Sequence, residues 1–159
     1  MPPRHTAILL MAYGSPNRLE EVEPYLTDIR GGRRPSREAV EELTSRYARV
    51  GVPTPLLAVS MNLARQLERL LNLDPPDDAI YTVHLGMKHW TPRIATAIDE
   101  IVDSGADRLI AIVLAPHFST ISIGGYRRQV EAALAARGGS SPVTLDFVES
   151  WHELVGYLQ

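Results

Sequence analysis

The residues best suited to chemistry in this chain cluster just after its short apolar runs. Tyr13 follows Ala7–Met11, Lys88, His89 and Trp90 follow Ile80–Leu85, His117 follows Leu109–Leu114, and Trp151 and His152 follow Val143–Val148. Imidazole and amine nitrogens move protons or meet metals and anions, and a phenol oxygen can do both. Each also has a plainer reading. Tyr13 can pack at a strand end with its hydroxyl on a carbonyl, and His117, alone after Pro116, reads as structural. His84 lies inside a run and His5 near the terminus, so neither is a candidate. Lys88-His89 is the better pair, because adjacent cationic groups at a strand end are costly unless solvent or an anion meets them.

A second group is Arg30-Gly31-Gly32-Arg33-Arg34-Pro35-Ser36-Arg37, with four arginines in eight residues. Planar guanidinium forks suit carboxylates or phosphates, although a solvated loop is the usual fate of such a run.

The four apolar runs, rich in β-branched residues, read as buried strands. Between them lie helical patterns. The clearest has Thr91 as its cap and Pro92 at the first helical position, continues through Ile94, Ala97, Ile98, Ile101 and Val102, and stops at Gly105. Met61–Leu71 places Leu63, Leu67, Leu70 and Leu71 on one face, and Arg127–Arg137 does so with Val130, Ala133 and Leu134 before Gly138-Gly139. Two more helices are expected around Leu19–Ile29 and Ser36–Tyr47, with surface loops at Gly31–Ser36 and Leu73–Asp78. Strands alternating with helices predict one α/β domain over residues 1–159: a doubly wound, flavodoxin-like, mainly four-stranded parallel sheet with helices on both faces. Ligands of such sheets bind beyond the carboxyl ends of the strands, where the candidate residues fall.

Composition narrows the classes further. The chain has 159 residues, 45% hydrophobic, and a net charge of −3. No global basic field draws nucleic acid or an anionic membrane, so a small molecule is the expected partner. With no cysteine, disulfides, Fe–S clusters and thiol catalysis by this chain are excluded. The start of the chain shows no signal pattern and no run approaches the ~20 apolar residues of a membrane span, so a cytoplasmic protein is expected. Phosphate-binding glycine loops and a G-x-S-x-G elbow are missing too, which leaves a nucleotide or flavin without a cradle.

At these same positions the sequence resembles the ferrochelatase family, especially the bacterial enzymes that metallate coproporphyrin III. The resemblance rests on ordered blocks: Leu10-Met11-Ala12-Tyr13-Gly14-Ser15-Pro16, Ile29-Arg30-Gly31-Gly32-Arg33-Arg34-Pro35, Arg46-Tyr47 with Pro53-Thr54-Pro55-Leu56, Leu85-Gly86-Met87-Lys88-His89, Val113-Leu114-Ala115-Pro116-His117-Phe118-Ser119, Ser122-Ile123-Gly124-Gly125-Tyr126 and Val148-Glu149-Ser150-Trp151. It covers essentially the whole chain. It implies insertion of Fe2+ into coproporphyrin III, with protoporphyrin IX as the other substrate, and no cofactor beyond the iron itself. Tyr13 is then the axial ligand to the porphyrin iron. Arg30, Arg46, Tyr47, Thr54 and Tyr126 line the porphyrin site, and Lys88 and His89 lie on a metal-approach path. Where many relatives carry a second basic residue after the first loop arginine, this chain has Gly31.

Ferrochelatases consist of two similar α/β halves, and this chain resembles the first. The catalytic His, in a Ser-x-His-Ser block, and the Glu facing it belong to the second half, so no catalytic residue is assigned here and His117 does not inherit the role. The isolated chain is expected to be inactive without its C-terminal half. Two other readings stand beside this one. One is a half-size homodimeric cobalt or nickel chelatase, which the arginine loop and block order argue against; the other is a non-catalytic porphyrin- or haem-binding module.

Overall fold

The computed structural model describes residues 4–76, 79–138 and 143–158. Strand β1 (His5–Ala12) is the centre of the molecule because it is apolar on both faces, and all its residues from Thr6 onward are buried. It pairs in parallel with β2 (Ile80–Met87) and with β3 (Arg108–Val113), and β4 (Thr144–Val148) pairs in parallel with β3. The order β2-β1-β3-β4 is the expected doubly wound α/β sheet.

Among the described residues six helices follow the strands or connect them: α1 (Val22–Ile29), entered through a 3-10 turn at Leu19–Glu21, α2 (Arg37–Val50), α3 (Leu56–Leu71), α4 (Ile94–Asp103), α5 (Ile123–Ala136) and α6 (Val155–Leu158). Helices α4 and α5 cover the sheet face that bears Ala7, Leu9 and Met11, where Ile98, Ile101 and Val130 are fully buried. Helix α3 covers the opposite face, packing Ala64, Leu67 and Leu71 over Ile8 and Leu10. Among the described residues no helix is long and apolar enough to cross a membrane.

The differences from expectation have local causes. Helix α3 begins at Leu56 rather than Met61, and its inward face is Ser60, Ala64, Leu67 and Leu71, leaving Leu63 and Leu70 exposed. Small residues at 60 and 64 let the helix lie close to the sheet, which rotates the leucine stripe partly outward. Helix α4 starts at Ile94, after Thr91 and Pro92: the Pro92 carbonyl accepts from the Met87 N–H at 2.6 Å and Arg93 bridges to Met87, so these residues still belong to the sheet edge. Its far end is as expected, with Gly105 at φ +73°. Helix α2 runs past Tyr47 to Val50, capped at its start by the Ser36 hydroxyl accepting from the Ala39 N–H. Helix α5 starts at Ile123, ahead of the expected Arg127, and α6 was not foreseen. Asp77, Asp78 and Gly139, named in two expected connections, lie outside the described residues.

Register brings the strand ends level. Ala12 is opposite Met87, Met11 opposite Val113, and Ile112 opposite Val148. Residues 13, 88, 114 and 149 therefore open onto one edge.

Candidate functional site

The main chain continues the sheet briefly beyond β1 and β2. The Lys88 N–H donates to the Ala12 carbonyl and the His89 N–H to the Tyr13 carbonyl, both at 2.9 Å. This sets Tyr13 and His89 side by side, their ring centroids 4.6 Å apart. Tyr13 is 44% exposed. Burial, and then the neighbouring Tyr47 and Asp28, push its phenol above the ordinary tyrosine value. After it, Gly14 turns the chain at φ +95°, where a Cβ would stand 3.0 Å from the Trp90 nitrogen. Glycine is needed there for both conformation and space.

Helix α1 and the turn before it hold this edge from the side. Glu21, Tyr25 and Asp28 fall at i, i+4 and i+7, one helical face. The Glu21 carboxylate accepts from Trp90 Nε1 at 3.1 Å, the buried Tyr25 hydroxyl donates to the Gly14 carbonyl at 2.9 Å, and Asp28 accepts from His89 Nδ1 at 2.9 Å and from Arg93 Nη1 at 2.7 Å. Since a carboxylate only accepts, Nδ1 carries the proton and His89 offers the edge only Nε2. Burial, and then Tyr47, raise the Tyr25 phenol well above its usual value, so it stays a donor.

The Glu21 carboxyl is held below the usual glutamate range, first by the Asn17 N–H and then by Arg18 and Trp90, with burial opposing. A depressed folded value means that its contribution is complete above the unfolded value, ~4.3, and is lost as pH falls through the lower folded one. Parent protein is therefore expected to melt above Glu21→Gln at about pH 6, with the gap narrowing as pH falls below the unfolded value. Thermal scans of both proteins across that range check this, and a gap that stays constant would contradict it.

The other expected site residues are not placed alike. Thr54 is half-buried with Oγ1 2.6 Å from Ser15 Oγ, joining the α2–α3 turn to the loop after β1. Tyr47 is half-buried and meets Tyr25 edge-on at 6.3 Å. Arg30 is exposed at the C-terminus of α1, beside Gly31 and Gly32 at φ +66° and +86°. Arg46 is exposed and pairs along its own helix with Glu42. Tyr126 is only 3% exposed, so its ring is floor rather than wall, and Lys88 covers it with Nζ 4.8 Å from the ring centroid. The His117 ring lies 4.8 Å from that of His152. Among the described residues no group of three or more His, Asp or Glu side chains is placed to hold a metal ion.

Sequence reasoning missed Glu21, Tyr25, Asp28 and Arg93. The signal for the first three was their shared helical face. Arg93 had none, because its role depends on α4 beginning at Ile94, two residues later than expected.

An open parallel sheet with helices on both faces, carrying a phenol and an imidazole at its carboxyl edge, defines a doubly wound α/β protein. The ferrochelatase family model matches residues 5–159, and the chain belongs to the ferrochelatase family. It is 44% identical over 93% of its length to a ferrochelatase of Herpetosiphon aurantiacus, 40% over 96% to a coproporphyrin III ferrochelatase of a Geobacillus species, and 39% over 95% to a ferrochelatase of Thermus thermophilus. These matches take in 47%, 48% and 51% of those proteins, so the chain spans about half the length of the curated relatives it matches.

Proposed function

We propose that this chain supplies the porphyrin-binding half of an enzyme that inserts Fe2+ into a porphyrin, with coproporphyrin III favoured over protoporphyrin IX. The observation that carries the reading is Tyr13, 44% exposed at the carboxyl edge with His89 behind its ring and Tyr25 pinning the next carbonyl. A flat macrocycle lying over this edge meets the phenol oxygen at its centre, as an axial ligand to the inserted iron. Its carboxylate arms reach the guanidinium groups of Arg30 and Arg46, which suit carboxylates bidentately. Tyr47 and Thr54 line the site, and Tyr126 supports it from below. Lys88 and the free Nε2 of His89 border the path of the metal. Metallation also requires a macrocycle bent to expose a pyrrole lone pair and a base for its N–H protons. In this reading the present residues bind and bend, and the C-terminal half of the enzyme takes the protons and delivers the iron.

The test is a spectroscopic titration with ferric coproporphyrin. Parent protein is expected to show a phenolate-to-iron band that Tyr13→Phe loses, and Arg30→Ala to bind about tenfold more weakly. An unchanged spectrum in Tyr13→Phe would remove the axial ligand and the reading with it. Mixed anaerobically with porphyrin and Fe2+, the chain alone is expected to insert no iron above background; turnover at an enzymatic rate would overturn the division of labour.

A further inference from the structure

Among the described residues, two cations beside the Tyr13 edge have no carboxylate to meet. Lys88 Nζ lies 3.2 Å from the Ser122 carbonyl and over the Tyr126 ring. It occupies a notch that only glycine leaves open, since a Cβ at Gly125 would stand 2.5 Å from Nζ. Arg128 folds back along α5 into the same notch: its Nη1 is 3.4 Å from a Cβ built at Gly124 and its Nη2 3.8 Å from one at Gly125. The neighbouring cations are matched, Arg93 by Asp28 and Arg127 by Glu131 and Glu149. Among the described residues neither Lys88 nor Arg128 forms such a pair. Half-burial, and then the charge of Arg128, lower the Lys88 amine from its ordinary value. Like charges brought together in a half-buried notch are unfavourable until an anion joins them.

We propose that Lys88 and Arg128 form a seat for a carboxylate arm of the porphyrin, separate from the arginine-bearing loop after α1, and that this seat selects a tetracarboxylate over a dicarboxylate macrocycle. The inference rests on the porphyrin-binding reading of the same edge. Protoporphyrin IX carries two propionates on neighbouring pyrroles, which one basic loop can serve. Coproporphyrin III carries four, spread over both edges of the ring, and arms beyond the reach of the loop need a second cationic position. Lys88 comes from the turn after β2 and Arg128 from α5, elements the loop does not share. Gly124 and Gly125 are then not gaps in a helix pattern but the space in which the two side chains converge.

Equilibrium titrations with coproporphyrin III, protoporphyrin IX and deuteroporphyrin IX decide the matter. Deuteroporphyrin has the two carboxylates of protoporphyrin without its vinyl groups, so it separates charge from bulk. Lys88→Met and Arg128→Gln are each expected to weaken coproporphyrin binding about tenfold and the two dicarboxylates less than about twofold. Arg30→Ala is expected to weaken all three. Arg128 is exposed, so its replacement carries the test even where Lys88→Met fails to fold. If both variants weaken the three porphyrins alike, or none of them, the seat is overturned while the Arg30 and Tyr13 results stand. If the parent chain binds no porphyrin, the reading of the edge and the seat fall together.

Discussion

Gly86→Ala is expected to destabilise the chain by about 3 kcal/mol and lower its melting temperature by about 10 °C. A Cβ at this position would stand 2.9 Å from both Cα and Cγ1 of Ile94 and 3.3 Å from Cδ1 of Leu9, against the roughly 3.5–4.0 Å at which carbon atoms rest. The side-chain part of the clash could be relieved by rotation, but the Cα could not. Ile94 opens α4, and the residues before it are tied to β2 by the Met87 to Pro92 hydrogen bond and the Met87–Arg93 bridge. On the other side Leu9 is fully buried in the central strand. Either α4 moves away as a unit, opening the apolar layer around Ile98 and Ile101, or β2 bows. Gly105→Ala is the contrast, with no atom within 4 Å of the new Cβ and only the left-handed backbone at φ +73° to oppose it, a cost of about 1 kcal/mol. Thermal or urea unfolding distinguishes the two, and a Gly86→Ala protein that melts with the parent would mean that the start of α4 does not pack against Gly86.

Position 86 also shows why some of the architecture is legible in sequence and some is not. The strands announce themselves because a parallel sheet buries both faces of its central member, and Ala7–Met11 is apolar without alternation. The end of a helix was legible where a residue type is required by conformation, as at Gly105. Close approach left no such mark. Gly86 admits the start of α4, Ser60 and Ala64 admit α3 to the sheet, and Gly124 and Gly125 make room for Lys88 and Arg128. In each case a small residue makes room for a partner, and all of these partners but Arg128, which shares its helix with Gly124, lie outside that residue's own element. The leucine stripe of α3 consequently faces partly outward, and α5 starts at Ile123, ahead of the expected Arg127.

The candidate site divides along the same line. Tyr13, Lys88 and His89 were found because they follow strands, and the topology alone sends such residues to one edge. Arg30 stood out in its arginine-rich loop, whereas Arg46, Tyr47, Thr54 and Tyr126 come only through family resemblance. The side chains that fix the edge in place, Glu21, Tyr25 and Asp28, went unnoticed because each is an ordinary helix-surface residue taken singly. Their meaning lies in the spacing together with the partners Trp90, Gly14 and His89, and those partners are fixed only once α1 is laid beside β1 and β2.

Asp28 is the member of that set whose loss should cost most. Its two oxygens serve two different groups, Oδ1 taking Arg93 and Oδ2 taking His89, in surroundings where the His89 side chain is 14% exposed and that of Asp28 28%. Removing one partner from a buried ionic cluster costs several kcal/mol because the others are left desolvated and unpaired, while a fully solvated pair is worth almost nothing. Asp28 lies between these limits, with Arg93 at 39% able to turn to water, so Asp28→Ala is expected to cost about 2 kcal/mol. Asp28→Asn keeps an acceptor for one partner and is expected to cost about half as much. The damage should also reach the edge, because the imidazole held by Oδ2 is the surface against which the Tyr13 ring rests at 4.6 Å. A double-mutant cycle with Arg93→Ala separates this network from simple helix destabilisation: groups joined through one carboxylate should show a coupling of about 1 kcal/mol. Single losses that add to within about 0.3 kcal/mol would mean that Arg93 and Asp28 act independently.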